Sequence, residues 1–228
     1  MAAIQKAKTI VRSGSSADGT DVYLRALLSG EISVADYFFV QAMRGNQYYI
    51  GSADVSTPTT WTATSTVDIT KPALYVGVPS NKVLIPVHIE LYMEAYGTNA
   101  QFEVQAVSGT GGSYTSGGTS ITPVNMRTAL SDSTGLTCYA GGNTIVTVGQ
   151  TGKLNVFWRD GEQFAITKTT ASATASVHDP NKWVWDAVAT NTFVMCGPDA
   201  QLQVNQGSQA GTGFVKLIAI VINSSDLP

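Results

Sequence analysis

Charge is scarce in this chain. Lys, Arg, Asp and Glu make up 13% of its 228 residues, about half the usual share of roughly 25%. A protein with so few charges often hides surface in an assembly. The net charge is −3, so neither a nucleic-acid nor an anionic-membrane partner is expected. No run of about 18 apolar residues occurs, which excludes a helical membrane span. The first dozen residues, MAAIQKAKTIVR, hold no apolar core of the signal-peptide kind, so synthesis in cytoplasm is expected. Cysteine is rare too. In such a chain Cys138 and Cys196 are expected as reduced thiols filling core space rather than as a disulfide.

Signals of catalysis are also sparse. Only two histidines, His88 and His178, are present, and there is no G-x-S-x-G elbow. The glycine-rich stretch at 109–118 lacks the Lys-Ser/Thr ending of a phosphate loop. His88 and Glu90 share one strand face, yet two ligands are too few for zinc. His178-Asp179-Pro180 reads as a loop where a strand ends. Asp160-Gly161-Glu162 reads as a turn, without the ligand count of a calcium loop. No enzyme, cofactor or metal is expected.

What the chain does have is β pattern. In KVLIPVHIELYMEAY (82–96) the residues Val83, Ile85, Val87, Ile89, Leu91, Met93 and Ala95 are apolar and spaced by two. Strand side chains alternate faces, so this reads as one long strand with one greasy and one half-wet face. Further strands are expected at 46–55, 73–78, 101–107, 144–148, 153–158, 162–168, 171–178, 182–188, 191–196, 200–205 and 213–222. The last, GFVKLIAIVI, is apolar on both faces and suits a central strand. The segment SGTGGSYTSGGTS (108–120) reads as an exposed loop, and 21–44 holds the one plausible helix. Without strand–helix alternation the expected class is all-β, an antiparallel β-sandwich or jelly roll at 71–228. Residues 1–70 would form an N-terminal arm or small anchoring subdomain.

Two aromatic readings stay open. Trp183 and Trp185 share a strand face and could stack a sugar, although core or interface packing is favoured. Tyr92, Phe214, Ile218 and Ile220 are expected near a subunit interface, since obligate interfaces are large and apolar.

The stretches KPALYVGVPSNKVLIPVHIELYME (71–94) and TPVNMRTA (122–129) resemble a group of tailed-bacteriophage virion proteins. The shared pattern is a strand, a Pro-Ser turn, a long strand reading "IP…I.L", a Gly/Thr-rich loop and a T-P-x-N-x-R stretch. The resemblance implies a jelly-roll domain, a homotrimer, and a place on the capsid exterior of the virion. It implies a capsid decoration or cement protein with the major capsid protein as partner. A receptor- or glycan-binding virion protein is the alternative. No catalytic residues come with the resemblance.

Overall fold

The computed structural model describes residues 37–52, 57–61, 66–96, 101–142, 146–163, 182–207 and 211–226. His178, residues 1–36 of the expected arm and the strand expected at 171–178 lie outside them. Strands dominate. β1 (Gln47–Gly51), β2 (Thr59–Trp61), β3 (Leu74–Val78), β4 (Lys82–Tyr96) and β5 (Gln101–Thr110) come first. The short β6 (Gly112–Ser116), β7 (Thr119–Ile121), β8 (Val124–Asn125), β9 (Thr137–Ala140) and β10 (Thr147–Gln150) follow. β11 (Leu154–Gln163), β12 (Lys182–Asp186), β13 (Ala200–Gly207) and β14 (Gly211–Asn223) complete the set. Sheet I runs β12-β4-β14-β1-β8, with β2 also on β14, and sheet II runs β11-β5-β13-β3-β9-β7. The strand pairs are antiparallel, and the two sheets close on one apolar core. The fold is an all-β sandwich.

That core is built from alternate residues of both sheets. Ile89, Leu91, Val215 and Leu217 of sheet I meet Phe102, Val104, Leu202 and Val204 of sheet II. Cys138 and Cys196 are free thiols inside it, and burial pushes both up to about 12. β1 and β2 both pair with β14. The boundary expected at residue 70 therefore cuts through sheet I.

β4 keeps its expected bounds but not one greasy face. Opposite β14, His88 pairs with Ile218 while Pro86 pairs with Ala219, which leaves Val87 as an extra residue. Such a bulge moves every residue on one side of it to the other face. Ile89, Leu91 and Met93 point into the sandwich, together with Leu84. Val83 and Ile85 point the other way, into a separate cluster with Ile220, Ile222, Phe38 and Val87. Proline is tolerated in a central strand chiefly at such irregularities, and Pro86 stands beside this one.

The second cluster is covered by α1 (Tyr37–Arg44), the one α-helix among the described residues. Its end is tightly closed. Gly45 takes φ 78°, and its N–H donates to the Ala42 carbonyl while that of Asn46 donates to the Gln41 carbonyl. These are the two bonds of a Schellman cap, for which glycine is the favoured residue. The T-P-x-N-x-R stretch locks this end. Buried Asn125 donates from Nδ2 to the carbonyls of Gly45 (2.9 Å) and Ser131 (3.2 Å). Its Oδ1 accepts from the Arg127 N–H, and Arg127 Nη1 donates to the Met43 carbonyl. The motif singled out in the sequence thus fastens helix to sheet.

Three further expectations need correction. The stretch 108–120 is not one loop: β5 runs on to Thr110, Gly111 turns the chain at φ 71°, and β6 and β7 follow. β6 pairs with β10 as a small sheet lying on sheet II, held by Tyr114 stacked on Tyr139 at 3.6 Å between ring centres. Asp160-Gly161-Glu162 is no turn either, because β11 passes straight through it beside β5. A side chain at Gly161 would collide with the Phe102 carbonyl. The close approach of the two backbones explains the glycine. The stretch 191–196 forms no strand beyond one bridge between Cys196 and Leu84.

Candidate functional site

Beyond the helix-covered end, the outer face of sheet I is open among the described residues. Antiparallel pairing places directly opposed residues side by side on one face. Tyr92 stands between Lys182 and Phe214, Glu90 between Val184 and Lys216, and His88 between Asp186 and Ile218. Tyr49 of β1 continues the last row next to Ile218. The result is a group of charges ringed by aromatic and aliphatic side chains.

Glu90 is the hub. Its Oε2 lies 3.2 Å from Lys182 Nζ, 3.4 Å from His88 Nε2 and 3.7 Å from Lys216 Nζ. Burial alone would raise its carboxyl, but hydrogen bonds from Lys182 and His88 and the charge of Lys216 hold it below the usual range. The other ring nitrogen, His88 Nδ1, lies 3.4 Å from Asp186 Oδ2. Asp186 turns its second oxygen to the Val188 and Ala189 N–H groups, at 2.9 and 3.0 Å. The Ala189 N–H first, then His88 and Val188, outweigh burial and hold the Asp186 carboxyl low. Burial, then the Glu90 charge, push the Tyr49 phenol up.

This geometry limits the chemistry. Each imidazole nitrogen already faces a carboxylate. A neutral ring donates to one of them, and a protonated ring donates to both. The carboxylates stand on opposite sides of the ring instead of converging, and no trio of His, Cys, Asp or Glu among the described residues is placed to hold a metal. A cavity of about 400 Å³ lies elsewhere, lined by Ser108, Thr110, Lys153, Asn155 and Met195 among others. Among the described residues Lys153 is the one charged residue in its wall.

Of the residues expected at an interface, Tyr92, Phe214 and Ile218 fall together on the open face. Ile220 does not, being fully buried beneath α1. The sugar platform also fails on geometry. Trp183 and Trp185 are 4% and 1% exposed, the first 4.2 Å from the Phe102 ring and the second edge-on to Phe157 at 5.0 Å. They pack the core, as favoured. Lys182, Asp186, Lys216, Tyr49 and Val184 escaped the sequence reading. The alternation of Lys182, Val184 and Asp186 opposite Trp183 and Trp185 was the available signal, and so was Lys216, the lone charge in an otherwise apolar strand. Comparison with protein-family models, with curated proteins and with solved structures finds no match to this chain.

Proposed function

We propose that this chain is a structural protein that assembles through the open face of sheet I, as a homotrimer decorating or cementing a bacteriophage capsid. The observation that carries the reading is the make-up of that face. Tyr92, Phe214, Ile218 and Val184 surround two lysines that both pair with Glu90, and the Asp186 carboxylate faces His88 beside them. A charge-balanced centre loses less on desolvation than unpaired charges do, and aromatic side chains are what interfaces enrich. The scarcity of charge and the resemblance of 71–94 and 122–129 to tailed-phage virion proteins support the same reading. The mechanism is mass action. A trimer bound across seams between capsomers binds only the closed shell and so favours it.

Light scattering of the purified protein should give about 72 kDa, three times the 24.0 kDa chain. Phe214→Asp should return it to a monomer with its far-ultraviolet circular dichroism intact. A wild-type monomer at micromolar concentration overturns the trimer. Co-sedimentation with purified phage heads tests the capsid partner. A trimer that ignores heads yet binds a glycan array would instead favour the receptor-binding alternative.

A further inference from the structure

The outer face of sheet II presents a different problem. Gln201, Gln203 and Asn205 alternate along β13 and are all completely buried. Amide side chains on a sandwich's outer face ordinarily meet water. Here the small sheet and the segment before β3 lie over them. Gly112 of β6 sits directly on the Gln201 side chain, and Gly207 abuts the backbone of Thr66 and Val67. The Val148 N–H of β10 donates to the Thr70 carbonyl, joining the two covers.

The buried amides form a chain with one direction. Gln203 Nε2 donates to Gln201 Oε1 at 3.0 Å, and Gln201 Nε2 donates to Gln150 Oε1. Gln150 Nε2 ends the chain on the carbonyls of Thr110 and Gly152, at 3.1 and 3.2 Å. The rim end is satisfied; the inner end is not. Gln203 Oε1 and both polar atoms of Asn205 have no hydrogen-bond partner among the described residues. Tyr75 and Val107 flank Gln203 across the sheet, but Tyr75 leans along its strand over Gly77, away from Asn205.

Buried amide atoms without partners are costly, and natural interiors pair nearly all of them. The missing partner must donate to Gln203 Oε1 and accept from Asn205 Nδ2. Alternate residues of a strand lie roughly 6.5 Å apart, a gap that one small group can bridge. The unpartnered atoms are neutral amides, so a charged ligand would be desolvated without compensation. Three polar atoms match the roughly three hydrogen bonds of an ordinary buried water. We propose that Gln203 and Asn205 hold at least one ordered internal water, accepting from Asn205 Nδ2 and donating to Gln203 Oε1. The water continues the amide chain and completes the join between sheet II and its outer cover.

Water-selective Overhauser experiments on ¹⁵N-labelled full-length protein test this. The Asn205 side-chain NH₂ should show cross-peaks to a water whose sign marks long residence. The same group protected from exchange but without a water contact overturns the proposal. The second arm is thermodynamic. Asn205→Leu strands Gln203 Oε1, so Gln203→Leu should lower the urea midpoint less in the Asn205→Leu background than in wild type, the loss of its bond to Gln201 being common to both. Equal losses in the two backgrounds overturn the shared site. Should Asn205→Leu fail to fold, the wild-type cross-peaks still decide.

Discussion

The outer face of sheet I carries one surface with two fates. Toward the start of β4, Val83, Ile85, Ile220 and Ile222 lie under α1 and are nearly sealed from water. A few residues along the same strands, Tyr92, Phe214 and Ile218 stand half-open around a knot of charge. β4 and β14 supply both ends, so strand chemistry alone does not separate them. What differs is the cover, and the helix that covers one end is pinned by Asn125 and Arg127. The open end has no such lid within the described chain. Its ion pairs let it face water alone while its aromatic rim still gains from being covered.

A matched pair of substitutions breaks this comparison most directly. Ile220 and Ile218 are two residues apart on one strand face. Ile220→Ala should cost about 3 kcal/mol, because a sealed cluster leaves a cavity. Ile218→Ala should cost less than about 1 kcal/mol in the dilute monomer. Urea midpoints measure both. Equal losses would mean that the open end is as sealed as the other. Next in size, Asn125→Ala should cost about 2 kcal/mol, since it strands buried carbonyls at the helix end. Its signature is local. Amide exchange should rise across 37–46 before it rises in β4.

How much of this was legible follows from particular residues. The bounds of β4 were readable because 88–94 alternates cleanly. The face of its first half was not, because Val83, Leu84, Ile85 and Pro86 are apolar in both phases and record no register. Only Pro86 hinted at the bulge. Turn propensity at Asp160-Gly161 was overridden by pairing with β5. Within the site, His88, Glu90 and Tyr92 came from alternation along one strand. Asp186 and Lys216 reach them only through cross-strand register, which is a property of the folded sheet.

The charge at the open end gives a third test. Glu90→Gln should cost about 1 kcal/mol or less at neutral pH, as partly exposed pairs do. Its sign against pH is fixed. The folded Glu90 carboxyl is held below its ordinary value, so at intermediate acid pH the unfolded chain binds more protons and stability falls as pH falls. The contribution is fully present above the ordinary carboxylate range and lost as pH drops through the lowered folded value. Urea melts from pH 7 down to pH 3 should therefore show wild type and Glu90→Gln converging in acid. Curves that stay parallel would remove Glu90 as the electrostatic hub.

The smallest expected effect lies at the rim of the helix cover. Phe193, 62% exposed, stacks on Phe38 at 6.1 Å between ring centres, and Phe38 in turn packs on the Ile220 cluster. An aromatic pair contributes about 0.5–1.5 kcal/mol when well packed, and exposure takes Phe193→Ala to the bottom of that range. The informative readout is coupling. Phe193 reaches the sealed end through Phe38, whereas Ile218 belongs to the other end. A double-mutant cycle with Ile220→Ala should therefore show an interaction energy, and one with Ile218→Ala should add within about 0.5 kcal/mol. Coupling to Ile218 instead would mean that the helix cover extends over the charged end, and the two ends would be one.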